Sequence, residues 1–167
     1  MKQNLLLLIA AIFILTSCEY TPGVSEAFTK YRFKDGVFTL SVPGWVIHLA
    51  SNSDGIDKNE RELLQSIDKV RILVVEDENL NGKINLHKEF ASKIKNKNHY
   101  EELMTVTDNG ENVAIFGKTD GDVITEMVLL VSGENDNALI FVRGEISPDV
   151  LKESVKNKKA GGLLSLN

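Results

Sequence analysis

The stretch E-E-L-M-T-V-T-D-N-G-E-N-V-A-I-F-G-K-T-D-G-D-V-I-T-E-M-V-L-L-V-S-G, residues 101–133, decides the fold of this 167-residue chain. Its alternating and β-branched residues predict three strands, at Glu101–Thr107, Glu111–Lys118 and Val123–Ser132. Asn109-Gly110 and Asp120-Gly121 stand between the strands, and such pairs supply the positive φ angles that tight hairpin turns require. The stretch therefore predicts three antiparallel strands in succession.

Further strands are predicted on both sides of this stretch. Ala138–Glu145 adds a fourth strand and completes an antiparallel meander. Upstream, V-R-I-L-V-V (70–75) is nearly continuously apolar, as in a strand covered on both faces. V-F-T-L-S-V (37–42) alternates as a strand that is buried on one face.

Helical periodicity fills most of the remaining chain. Val24, Phe28 and Tyr31 recur at helical spacing, and a short helix is expected at Gly44–Ala50 with Pro43 at its first position. Asp57 and Glu60 form a capping-box pattern ahead of a helix whose apolar side is Leu63, Leu64, Ile67 and Val70. Another helix turns Leu86, Phe90, Ala91 and Ile94 inward, and Ser147-Pro148-Asp149 starts a last one carrying Val150, Leu151 and Val155.

These elements predict one α+β domain. We expect a C-terminal four-stranded antiparallel meander plus one or two further strands, packed with about four or five helices. The domain is assigned to residues 24–160, followed by a C-terminal tail at 161–167.

The strand V-I-T-E-M-V-L-L-V (123–131) is apolar on both sides. Period-two projection places Met127, Leu129 and Val131 on one face and Ile124, Val128 and Leu130 on the other, and we expect both sets to be buried, the second mainly by helices. Either the helices divide between the two faces, or they cover one face only. In the second case the other face must meet a partner protein, a second copy of the chain or an apolar ligand.

The N-terminus has the pattern of a lipoprotein signal. Lys2 precedes the apolar run Leu5–Leu15, whose 11 residues are too few for a transmembrane helix, which needs about 20. The sequence Leu15-Thr16-Ser17-Cys18 resembles the lipobox of bacterial lipoproteins. That resemblance implies a signal peptide at residues 1–17 that is removed, acylation of Cys18, the only cysteine, and a lipidated tether at residues 18–23.

The charge of the mature chain excludes some partners. Without Lys2, 18 basic and 24 acidic residues remain, a net charge of −6. An acidic chain is not expected to bind nucleic acid, which favours a basic face. It is also not expected to adhere to anionic membranes by charge, so the lipid must do the anchoring.

Residues 101–133, together with the preceding helix-strand-helix block and the lipobox, resemble an uncharacterised family of Bacteroidetes lipoproteins, domain-of-unknown-function family 4252. The resemblance covers nearly the whole mature chain. It implies a location in the cell envelope and a fold, but no established activity.

The segment D-E-N-L-N-G-K-I-N (77–85) is the sharpest candidate for a metal site. Asp77, Asn79 and Asn81 occupy positions one, three and five of an EF-hand loop, and Gly82 occupies position six. Position twelve is Lys88, which would repel the ion, and a strand rather than a helix precedes the loop. We therefore expect a polar turn and no specific calcium binding.

Catalytic patterns are weak. His48, His87 and His99 lack metal-ligand spacing, and there is no G-x-S-x-G motif. The basic cluster K-I-K-N-K-N-H (93–99) fits a solvated helix end, with an anionic lipid headgroup as the less favoured reading.

Two functions are therefore weighed, and no cofactor is predicted from the sequence. The first is a non-enzymatic binding or structural protein, lipid-anchored in the bacterial cell envelope. It would use a sheet face or loops to hold an envelope protein or an apolar ligand, or a sheet face to hold a second copy of the chain. The alternative is an envelope enzyme with a metal-assisted site built from loop carboxylates and histidines.

Overall fold

The computed structural model describes residues 22–97, 100–108, 110–134 and 136–153. Within these ranges the strands are β1 (Val37–Pro43), β2 (Ile67–Val75), β3 (Glu101–Asp108), β4 (Glu111–Asp120), β5 (Val123–Ser132) and β6 (Asn137–Ile146). The helices are α1 (Pro22–Tyr31), α2 (Gly44–Ala50), α3 (Lys58–Gln65), α4 (Glu78–Asn81) and α5 (Leu86–Lys97), and residues 148–153 are helical as well.

All six strands form one antiparallel sheet in the order β1-β2-β6-β5-β4-β3. Strands β3 to β6 are the predicted meander. Strand β2 pairs with the free edge of β6, with Ile72 opposite Ile140, and β1 then pairs with β2. The predicted α+β class, with a meander and two further strands, is confirmed.

Two helices bury one face of this sheet, which we call the helical face. Helices α1 and α5 pack closely on each other. Their approach at Gly23 leaves no room for a side chain, since a Cβ there would lie only 2.9 Å from the Ile94 backbone nitrogen. Tyr31 meets Phe90 edge to face, with ring centroids 6.2 Å apart. The resulting core joins these helices to strand residues Leu73, Val75, Ala114, Phe116, Val128, Leu130, Leu139 and Phe141.

The turns and caps follow local sequence signals. Gly110 and Gly121 have φ angles of 88° and 58°, as the predicted hairpin turns require. The capping box of α3 is present, since Asp57 Oδ1 accepts a hydrogen bond from Glu60 N and Glu60 Oε2 accepts one from Asp57 N.

Two local predictions were wrong. Pro43 is the residue before α2 rather than its first helical residue, with an extended ψ of 153°. Helix α3 ends at Gln65, so Ile67 and Val70 belong to β2 and do not extend the helix's apolar side. The β-branched character of these residues is better accommodated beside β6 than in a further helical turn.

Candidate binding surface

The second face of the sheet, which we call the apolar face, is defined by the strand register. Residues opposite each other in an antiparallel pair point to the same side. Met127 is opposite Val142, Leu129 opposite Ile140, and Val131 opposite Ala138. Extended across all six strands, the face consists of Phe38, Leu40, Val42, Val70, Ile72, Val74, Ala138, Ile140, Val142, Met127, Leu129, Val131, Val113, Ile115, Met104 and Val106.

Burial differs sharply between the two faces. Along β5 the even-numbered residues from Ile124 to Ser132 are buried, whereas the odd-numbered residues are only half-buried. No member of the apolar face belongs to the buried core among the residues that the structure describes. Its outer parts are most accessible: Phe38, Leu40, Met104 and Val106 are between 43% and 48% exposed.

The register confirms that Met127, Leu129 and Val131 share one face and that Val128 and Leu130 share the other. The expectation that the first set is buried was wrong, because α1 and α5 both pack on the helical face. The apolar face therefore has the properties expected of a sheet with helices on one side.

The Leu103 side chain occupies the space beside Gly117 and keeps the apolar face continuous at β4. Gly117 has no side chain, and a Cβ there would lie 2.7 Å from Leu103 Cδ1. Leu103 lies at the irregularity in β3 between Glu102 and Met104, and it is itself 48% exposed. The leucine thus fills the gap above the glycine and extends the apolar surface.

Charge is confined to the rim of this face. Asp108 and Glu111 are opposite each other at the β3–β4 turn, one pair beyond Val106 and Val113, and both are exposed. These two acidic groups mark one corner, and Glu101, opposite Gly117, marks the other end of β3. The paired positions of this face between these ends and between the two sheet edges are apolar or glycine.

A separate polar pocket of about 410 Å³ lies near the β4–β5 turn. Its lining includes Glu126, which is buried on the helical face, and Arg143 on β6. Arg143 donates to Glu126 Oε1 from Nη2 at 2.7 Å and from Nε at 3.2 Å, and the buried Tyr100 hydroxyl donates to Glu126 Oε2. These contacts occupy both carboxylate oxygens, so Glu126 acts as a structural acceptor linking β5, β6 and the start of β3.

The sequence carries a signal that Glu126 is a buried, paired carboxylate. It is the one charged residue in V-I-T-E-M-V-L-L-V, at a position that shares the helical face with Val128 and Leu130. A charge at such a position requires a partner, and the partner follows only from the β5–β6 register.

The calcium candidate residues do not converge on one point. Asp77 caps α4, with Oδ1 accepting from Leu80 N at 2.8 Å. The buried Asn81 amide donates to Val75 O at 2.9 Å, and its Oδ1 accepts from Asn137 Nδ2 at 3.2 Å. Asn79 is exposed on the intervening helical turn. Asp77 and Asn81 thus satisfy backbone and amide groups in a strand-to-helix connection.

Neither described histidine, His48 or His87, belongs to a group of side chains that could hold a metal ion. His48 Nε2 is 3.0 Å from the Ile67 carbonyl oxygen, and His87 N donates to Ser132 Oγ at 2.8 Å. His99 and Cys18 lie outside the described residues. Within the described ranges, no group of three or more His, Cys, Asp or Glu residues is placed to hold a metal ion.

Glu89 on α5 forms a cluster that the sequence analysis did not identify. Its carboxylate pairs with Lys30 and accepts a hydrogen bond from the Tyr31 hydroxyl at 2.7 Å. Burial is the largest single influence on the pKa of Glu89 and raises it, but the hydrogen bonds from Lys30 and Tyr31 bring the pKa below its ordinary value. The cluster therefore ties α1 to α5.

The basic cluster is partly engaged in ion pairs of the domain. Lys93 pairs with Glu26 on α1, and Lys95 Nζ lies 3.3 Å from Glu102 Oε2 on β3. These contacts fit the expected helix end, although residues 98 and 99 lie outside the described part.

The fold and surface define an α+β domain with one sheet face under helices and the other face apolar and accessible. The model of the family described as "Domain of unknown function (DUF4252)" matches residues 31–153, and the chain belongs to this family. No curated protein and no solved structure matches the chain. Among the described helices, none is both long and apolar enough to cross a membrane.

Proposed function

We propose that this chain is a lipid-anchored cell-envelope protein that acts by binding rather than by catalysis, and that the apolar face is its binding surface. The observation that carries the proposal is the continuity of this face across six strands, with accessible apolar side chains at both edges. Contiguous apolar patches of several hundred Å² on soluble domains mark interaction sites.

The chemistry of the described residues favours binding over the enzyme alternative. The buried carboxylate of Glu126 is bonded to Arg143 and Tyr100, and Asp77 is bonded to a helix end. General acid–base catalysis needs such groups aimed at a substrate in a cleft. In this structure the carboxylates of Glu126 and Asp77 instead hold strands and a helix in place.

Anchoring is proposed from the lipobox-like sequence that ends at Cys18. A secreted domain with two or three acyl chains stays on its membrane, whereas one chain gives only marginal binding. Cys18→Ala should abolish incorporation of labelled palmitate and release the protein from the membrane fraction. Palmitate incorporation into this variant would overturn the anchoring proposal.

The binding surface can be tested with a photo-crosslinking amino acid in intact cells. We compare benzoylphenylalanine at Leu40 and Val106, on the apolar face, with the same residue at Ser41 and Thr107. Each control is the next residue along the same strand, is exposed and points to the other face. We expect specific adducts from Leu40 and Val106 only. Equal yields from the control positions would contradict the proposal.

A further inference from the structure

We propose that the occupant of the apolar face is a second copy of this chain, packed face to face as a symmetric dimer. This inference rests on the proposed binding function and names the partner. It would create a four-layered particle in which the two sheets meet in the middle and α1 and α5 of each copy lie outside.

The estimated size of the face reaches the minimum for a specific protein–protein interface. Six strands at about 4.8 Å spacing are roughly 29 Å wide, and three alternating side chains per strand span roughly 17 Å, which gives roughly 500 Å². Two copies would therefore bury roughly 1,000 Å² in total, which reaches the lower bound of about 1,000 Å² for a specific interface.

The chemistry of the face favours self-association. A symmetric interface uses the same patch on both copies, so the patch must be complementary to itself. The residues named above for the apolar face are uncharged, and the acidic residues that share its side, Asp108, Glu111 and Glu101, lie on or next to the β3 edge. A two-fold axis parallel to the strands would place the β3 edge of one copy over the β1 edge of the other, so these acidic groups would not meet. A polar partner would instead leave its own groups without hydrogen bonds against this surface. Interfaces of permanent homodimers are the more apolar class.

The shape of the face is compatible with such packing. Two sheets pack with their inner faces about 10 Å apart and strands inclined by about 30°. The middle row of the face contains Ile72, Ile140, Leu129 and Ile115, and the rows on either side contain smaller side chains such as Ala138, Val131 and Val142. Leu103 fills the position above Gly117, so no gap interrupts the surface at β4.

The position of the predicted anchor argues against the bilayer as the occupant. The chain enters the domain at α1, which packs on the helical face. Three residues separate Cys18 from Pro22, and these four peptide steps reach at most about 14 Å. An acyl chain on Cys18 would therefore be held within that reach of the start of α1, whose helix packs on the helical face and not on the apolar face.

The test uses the native, lipid-anchored chain in intact cells that express two copies with different tags. Photo-crosslinks are formed from Leu40→benzoylphenylalanine and Val106→benzoylphenylalanine, with the same replacement of Ser41 and Thr107 as matched controls. The product is purified by one tag and detected by the other, and mass spectrometry identifies the attached molecule. We expect two-copy adducts at least tenfold more abundant from Leu40 and Val106 than from the controls.

Other outcomes separate the two proposals. Adducts from the apolar face that contain only lipid, or only a different protein, would overturn the second-copy proposal and leave the binding surface standing. Absence of face-specific adducts of any kind would overturn both. Leu40→Asp, an exposed edge change, should reduce the Val106 two-copy adduct at least fivefold while the circular dichroism spectrum of the chain is unchanged. A full adduct yield from that variant would also count against the dimer.

Discussion

The Glu126 carboxylate and the Arg143 guanidinium are joined across neighbouring strands, with Nη2 2.7 Å from Oε1. The carboxylate is 4% exposed, and the buried Tyr100 hydroxyl also donates to it. One buried carboxylate thus accepts from a donor on β6 and from a donor immediately before β3.

Glu126→Leu should lower the free energy of unfolding by about 1–3 kcal/mol, because it removes the acceptor of a buried hydroxyl. The Arg143 side chain is 31% exposed, so water limits the cost on that side. Glu126→Gln keeps an acceptor oxygen and should cost less. Urea unfolding should be followed by circular dichroism, since Trp45, the only tryptophan, is 71% exposed already. Equal stability of Glu126→Leu and wild type would contradict the structural role.

Adjacent leucines on β5 should respond differently to truncation. Leu130 is fully buried on the helical face, so Leu130→Ala should cost about 2–5 kcal/mol. Leu129 is half-buried on the apolar face, so Leu129→Ala should cost roughly 1–2 kcal/mol in the monomer. Denaturation at several protein concentrations measures both. If a second copy covers Leu129, the cost of its truncation should rise with protein concentration. If Leu129→Ala and Leu130→Ala lower the free energy of unfolding by the same amount at every protein concentration, the two faces are equally buried and the prediction is wrong.

Asp77 should contribute to stability as a helix cap and not as a calcium ligand. Asp77→Ala should lower the free energy of unfolding by about 1 kcal/mol, as for other lost caps. Asp77→Asn keeps a capping oxygen and should be nearly neutral. Calorimetry of residues 19–167 should show no saturable heat at millimolar calcium. Saturable binding that Asp77→Ala abolishes would restore the EF-hand interpretation.

Acid should weaken the contact between α1 and α5 through Glu89. A folded-state pKa below the ordinary value of 4.5 means that the charged carboxylate stabilises the fold above that pH. This contribution is lost as the pH falls through the lower, folded-state pKa. Glu89→Gln should therefore show a shallower loss of stability than wild type as the pH is lowered below 4.5. Glu62→Gln, an exposed glutamate on α3, controls for the change in net charge. Identical pH profiles for Glu89→Gln and wild type would refute the role.

Local signals in the sequence account for the parts of the fold that were predicted. The hairpin glycines and the Asp57–Glu60 capping box act over three or four residues, so the meander and α3's start are readable directly. The placement of β2 beside β6 cannot be predicted from local signals, because Ile72 and Ile140 lie far apart in sequence. Alternation in β5 showed that both faces are apolar, but helix positions decide which face is covered. The same holds for Glu126, whose partner Arg143 is fixed by strand register.

Strand β6 is the last strand among the residues that the structure describes, yet it lies inside the sheet between β2 and β5. During synthesis β1 and β2 are complete long before β6, the second neighbour of β2, exists. Strands β3, β4 and β5 follow one another directly and can pair as hairpins before β6 is made. Pairing of β2 with β6 closes a loop of about 70 residues, and such distant pairing is slow compared with hairpin formation. A chain that stops before Asn137 would lose the strand that joins its two halves, leaving one two-stranded and one three-stranded piece. The completeness of the whole sheet therefore depends on its most C-terminal strand.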